Sequence, residues 1–158
     1  METSVLNWQR LELPKMSVHL RLEMPSHPRF LSVVRAAIDE LSMTVGLPKE
    51  ECNAVILAVD EALANIIRQA YKHRYDQRVE FDCLVSEEQM EFTLLDQGEP
   101  PDLAKICAQP VDELALSGRG THLIKAIMDE VSYKQVSEGN QLKLIKHLPG
   151  AKAIAQGE

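Results

Sequence analysis

The sequence predicts an α+β fold: a two-layer sandwich in which helices cover one face of a mixed, mostly antiparallel sheet. Three observations predict it. Five short segments carry strand chemistry, apolar stripes at helical spacing separate the first from the second and the third from the fourth, and the chain closes on a hairpin.

The elements follow in order. A strand is expected over 17–24, where Val18, Leu20, Leu22 and Met24 alternate with polar side chains, and Pro25 and Pro28 end it. A helix follows over 29–45, with Phe30, Val33, Val34, Ala37, Ile38 and Leu41 on one face and Gly46 closing it. Pro48 at a first helical position starts a second helix, which runs to about Tyr71 on the stripe Cys52, Val55, Ile56, Val59, Leu63, Ile66 and Ile67. This is the most apolar element. Strands over 78–85 and 89–95 flank the polar turn Ser86-Glu87-Glu88 and form a hairpin. Asp96-Gln-Gly-Glu-Pro-Pro101 breaks the pattern, and the stretch to Ser117 is weakly periodic, with one short helix near 103–107. Leu123, Ile124, Ala126, Ile127 and Met128 then form a helical stripe that begins directly after Gly118-Arg-Gly120, and strands over 131–136 and 142–148 meet at the turn Glu138-Gly139-Asn140.

Composition bounds the function. A length of 158 residues fits one domain, read as 1–158 with a core over 17–148 and a flexible tail over 149–158. Seventeen basic against 24 acidic side chains leave −7, the wrong sign for neutralising nucleic acid or docking on anionic lipid. The apolar run Ala54-Val-Ile-Leu-Ala-Val59 stops at Asp60-Glu61, far short of the ~20 residues that cross a bilayer, so no membrane span is expected. The opening Met1-Glu2-Thr3-Ser4 lacks the basic and apolar segments of a secretory leader, and the chain reads as cytoplasmic. Cys52, Cys83 and Cys107, like His19, His27, His73, His122 and His147, are scattered without metal-ligand spacing, and the thiols read as reduced and mostly buried.

Three places carry chemistry. Glu61 and Asn65, four apart on the second helix, stack on one face bordering the apolar stripe. They form either a hydrogen-bonded pair at a solvent edge, or a base (Glu61) beside an oxygen ligand for Mg²⁺ (Asn65), an ion that prefers oxygen donors completed by phosphates and water. Asp96-x-Gly98-x-Pro100 follows a strand directly. It is either a tight turn in which Asp bonds its own backbone and Gly supplies positive φ, or an acid that accepts a hydrogen bond from an exocyclic amine such as that of adenine. Gly118-Arg119-Gly120 at a helix start is either a flexible connection or a phosphate cradle of bare amides with Arg119 adding a charge-assisted bond.

Ala58-Val-Asp-Glu-Ala-Leu-Ala-Asn65, Leu94-Leu-Asp-Gln-Gly98, Ser117-Gly-Arg-Gly-Thr-His-Leu-Ile124 and Met128-Asp-Glu-Val-Ser-Tyr133, in that order, resemble the anti-sigma-factor serine/threonine kinases. That family belongs to the GHKL ATPases with histidine-kinase catalytic domains, DNA gyrase and MutL, and the likeness covers about 17–147. The resemblance implies a Bergerat-type ATP site under a mobile lid over 101–117. By position, Asn65 looks like the Mg²⁺ ligand, Glu61 like the general base, Asp96 like the adenine-reading acid, Gly98 like the glycine packed against the base, and Gly118, Arg119 and Gly120, with Thr121 beside them, like the phosphate-side hinge. Thr121-His122 departs from relatives that place an apolar or glycine residue there, and Glu99 adds negative charge at the pocket mouth. The long dimerising helices and phosphoacceptor histidine of a complete sensor kinase are missing from the pattern. The family implies phosphorylation of a STAS-domain antagonist by MgATP, capture of a sigma factor and homodimerisation, with partner contacts over 17–45 and Arg21, Arg29 and Arg35 as basic candidates. The other class is a non-catalytic module whose nucleotide state sets its partner; a base at Glu61 favours the enzyme.

Overall fold

The computed structural model describes residues 17–102 and 116–150, with the backbone alone for 116–119. Five strands, β1 (Val18–Pro25), β2 (Arg78–Val85), β3 (Gln89–Asp96), β4 (Glu130–Val136) and β5 (Gly139–His147), form one sheet in the order β1-β2-β3-β5-β4. Every neighbouring pair is antiparallel. Strand alternation decides what each face does. On β2 and β3 the residues Val79, Phe81, Cys83, Met90, Phe92 and Leu94 are buried, while Glu80, Asp82, Glu91 and Thr93 between them are only partly so.

The buried face is covered by α1 (Leu31–Thr44), α2 (Lys49–Asn65) and α3 (Leu116–Ile127). Val34 and Ile38 of α1, and Val55, Ala58, Val59, Ala62 and Leu63 of α2, join the strand residues in one apolar cluster. The rings of Phe81 and Phe92 stack at 6.1 Å within it. Each fully buried Val, Leu, Ile, Phe or Met side chain contributes roughly 1.5–3 kcal/mol, so the central strands and α2 hold most of the apolar core of the described residues. Cys52 and Cys83 are buried free thiols, and burial pushes the Cys83 thiol up to about 12, which keeps it unreactive. Cys107 lies outside the described residues. No described helix is long and apolar enough to cross a membrane.

Four expectations are corrected by the structure. Pro48 is the cap preceding α2, whose first helical residue is Lys49, with Glu50 and Glu51 placed at the positive end of the helix. The second helix does not run unchanged to Tyr71: it passes at Ile66 into a π-helical turn, Ile66–Ala70, in which the Tyr71 amide donates to Ile66 O, five residues back. Lys72 and His73, both at positive φ, then reverse the chain. The last hairpin turns at Ser137-Glu138, so Gly139 and Asn140 belong to β5, paired with Val136 and Gln135. Finally, α3 begins at Leu116, which places Gly118, Arg119, Gly120 and Thr121 inside the helix instead of ahead of it. Glycine's poor helix propensity costs about 1 kcal/mol per residue, and packing against α2 overrides it. The short helix read near 103–107 and most of the lid read over 101–117 lie outside the described residues.

Candidate nucleotide site

The buried row of β3 ends in an acid. Asp96 continues the inward alternation of Met90, Phe92 and Leu94 and is 6% exposed, so a carboxylate occupies the position where the strand period calls for an apolar side chain. Antiparallel pairing sets Asn140 of β5 directly opposite it, also buried. Asp96 Oδ1 accepts 2.9 Å bonds from Asn140 Nδ2 and from the Gly98 amide. The same Asn140 nitrogen donates to Gly98 O at 2.9 Å, and its Oδ1 accepts from the Tyr133 hydroxyl at 3.0 Å. Burial holds the Asp96 carboxyl above the ordinary carboxylate range, with the two hydrogen bonds pulling the other way. The Tyr133 hydroxyl is raised by burial first and by the Asp96 charge second.

Gly98 is needed for close approach rather than for a positive φ, which it does not adopt. A Cβ there would lie 2.5 Å from Ala70 O, 2.6 Å from its carbonyl carbon and 2.7 Å from its Cβ, so the backbone after β3 lies directly on the π-helical turn. The Glu99 amide donates to the same carbonyl at 2.9 Å, and Lys72 pairs with Glu99 at 2.9 Å. Tyr71 completes the joint: its buried hydroxyl donates to Arg78 O and accepts from the Gln97 amide.

The other end of the site is built on α2. Glu61 Oε1 and Asn65 Oδ1 each lie 2.9 Å from one nitrogen, Arg68 Nη2. Gly120 of α3 packs against the same carboxylate, since a Cβ at this position would collide with Glu61 Oε1 and lie 2.7 Å from Cδ and Cγ. The structure therefore brings Glu61, Asn65 and Gly120 into one group and Asp96 and Gly98 into a second, joined through the continuous segment from Asn65 to Ala70. Gly118 and Arg119 lie in the first turn of α3, and Thr121, half-buried, follows Gly120. An open cleft of about 440 Å³ adjoins the second group, lined by residues including Gln97, Gly98, Pro100, Glu138 and Asn140, and reaches neither Glu61 nor Asn65. Of the basic partner candidates, Arg21 pairs with Asp82 at 2.8 Å and Arg35 with Asp60 at 3.0 Å.

Asn140, Tyr133 and Arg68 are site residues that the sequence reading did not assign. Asn140 follows a glycine and reads as a turn residue, and Tyr133 stands at the end of the stretch 128–133 with nothing local to mark a role. Arg68 had one signal: it is three residues after Asn65 and seven after Glu61, hence on their flank of the helix.

Gly120→Ala probes the contact between α2 and α3. The obstacle runs from Glu61 Cγ to its carboxylate, so the whole side chain has to swing away from Gly120, while alanine is favoured over glycine in the helix by about 1 kcal/mol. The expected result is a folded chain whose melting temperature, followed by circular dichroism, changes little because the two effects oppose, and in which Glu61 no longer faces Arg68.

Residues 24–146 match the family model described as the histidine kinase-like ATPase domain, and the chain belongs to that family. Among curated proteins it is similar to serine-protein kinase RsbW of Bacillus pumilus, 28% identical over 139 residues covering 82% of this chain and 85% of that protein. RsbW of Bacillus subtilis is 25% identical over 140 residues, covering 84% and 87%. Solved structures agree on the fold. The RsbU and RsbW domains of Rv1364c from Mycobacterium tuberculosis give a TM-score of 0.60 at 13% identity, the likeness covering 84% of this chain and 33% of that longer one. The histidine kinase domain of Erythrobacter litoralis EL346 gives 0.52 at 20% identity, covering 85% and 66%.

Proposed function

We propose that this chain is an anti-sigma factor and ATP-dependent serine/threonine kinase that phosphorylates a STAS-domain antagonist, holds a sigma factor when not engaged with that antagonist, and works as a homodimer in the cytoplasm. One observation carries the reading: two hard oxygens, from Glu61 and Asn65, converge on a single cationic nitrogen beside a glycine of α3. Oxygens that already share a cation suit Mg²⁺ in donor chemistry, so the residues fit the ion. Asn65 Oδ1 would hold Mg²⁺, which neutralises phosphate charge when bound, with its remaining positions left to phosphates and water.

The other roles belong to the chain's own groups. Asp96, buried at the end of β3, takes a hydrogen bond from the adenine amine, and Asn140 and Gly98 hold it in place. Arg119 and the amides around Gly118 and Gly120, with Thr121, meet the phosphates near the positive end of α3. Glu61 accepts the proton of the incoming serine or threonine hydroxyl as its oxygen bonds to the γ-phosphorus and the bond to the ADP oxygen breaks. Positioning and charge stabilisation supply most of the acceleration. The RsbW relatives, named as serine-protein kinases, support this reaction class.

The test is incubation of the full chain with radiolabelled ATP, Mg²⁺ and a STAS-domain antagonist. Label on a serine or threonine of the antagonist is expected. Bound nucleotide with no phosphoprotein would instead make the chain a nucleotide-set binding module.

A further inference from the structure

Arg68 makes both of its described polar contacts inside the proposed site. One nitrogen, Nη2, donates to Glu61 Oε1 and to Asn65 Oδ1, each at 2.9 Å, so a positive charge already occupies the space between the two oxygens. The neighbouring cations are committed elsewhere: Arg35 to Asp60 at 3.0 Å and Lys72 to Glu99 at 2.9 Å. On the far side Glu61 meets the backbone of Gly120, which brings no charge. Among the described residues, Arg68 is thus the counter-cation of this pair.

We infer that Arg68 is a resident counter-ion that competes with Mg²⁺ for Asn65, so that metal entry and release of the guanidinium are one coupled event. The inference rests on the reading of Asn65 as the Mg²⁺ ligand. Its physical basis is twofold. The Asn65 oxygen that faces the guanidinium is the one a divalent ion would need, and an ion held there would repel the guanidinium beside it. Arg68 holds the two side chains in place while the ion is absent, and it sets the Mg²⁺ concentration at which nucleotide binding tightens. The pair is only partly screened from solvent, with side-chain exposures of 47% for Arg68 and 26% for Glu61, so the competition is modest.

Calorimetric titration of ADP into the full chain across a series of Mg²⁺ concentrations tests this without any turnover. In Arg68→Gln the Mg²⁺ midpoint for tight ADP binding should fall roughly three- to tenfold, while affinity in excess chelator stays within about twofold of the unsubstituted chain and Arg68→Lys restores the higher midpoint. An unchanged or higher midpoint in Arg68→Gln overturns the inference. Equal weakening of ADP with and without Mg²⁺ also overturns it, because Arg68 would then be a direct nucleotide ligand. Asn65→Ala reports on the underlying reading by itself: loss of the Mg²⁺ dependence supports Asn65 as the ligand, and retention of that dependence removes Asn65 whatever Arg68 does.

Discussion

Glu61→Gln is expected to slow phosphoryl transfer to the antagonist about 10²–10⁴-fold, the contribution of a positioned general base, with nucleotide affinity nearly unchanged. The amide keeps an oxygen for Arg68 Nη2 and fits the space against Gly120, so the packing of α2 on α3 survives. What it loses is the ability to accept a proton from the attacking hydroxyl. Single-turnover transfer of label from ATP measures the rate, and calorimetry measures the affinity. A normal rate in this variant removes Glu61 from the mechanism and leaves it a structural partner of Arg68.

Asp96→Asn should weaken ATP binding roughly ten- to a hundredfold, the range for losing a hydrogen bond to a charged group, about 1.5–3 kcal/mol. An amide oxygen can still accept from the Gly98 amide and Asn140 Nδ2, but the other position becomes a donor facing a donor on adenine. The same substitution should not harm the fold, because the raised pKa of Asp96 fixes the sign of its pH dependence. The folded state binds this proton more tightly than the unfolded state, so stability is highest below the unfolded value, about 4, and falls as pH rises through the raised folded value. Above the raised folded value the buried carboxylate lowers stability, and Asp96→Asn is expected to melt there at the same or a higher temperature, with the difference vanishing in acid. Melting at several pH values tests this, and an unaltered affinity for ATP would end the adenine role.

Local periodicity marks the five strands and the three α-helices of the described residues, though not the start of α3, the first residues of β5 or the π-helical turn, because the buried face depends on alternation in the strands and on 3.6-residue stripes in the helices. Val79, Phe81 and Cys83 mark their strand regardless of what they pack against. Glu61, Asn65, Asp96 and Gly98 stood out because acids, an amide and a glycine interrupt otherwise apolar runs. The misses have a common physical origin in contacts between distant segments. Asn140 looks like a turn residue until the sheet register sets it opposite Asp96, 44 positions away. Gly120 looks like a hinge until α3 lies against Glu61. The π-helical turn carries no compositional mark, and its consequence, Ala70 O offered to the Gly98–Glu99 backbone, exists only once β3 has reached the helix.

The tight Ser137-Glu138 reversal has a practical corollary for anyone attaching a reporter. Gly139, at φ +139°, lies so close to Asp96 O that no side chain fits, and the length of that tip therefore fixes the backbone on which the Asp96 carboxylate is mounted. An inserted tag would shift that carboxylate even though the tip is far away in sequence. The exposed Glu87, at the opposite end of β3 and roughly 25–30 Å distant at about 3.3 Å per residue, offers a fluorophore a place from which the site is left undisturbed.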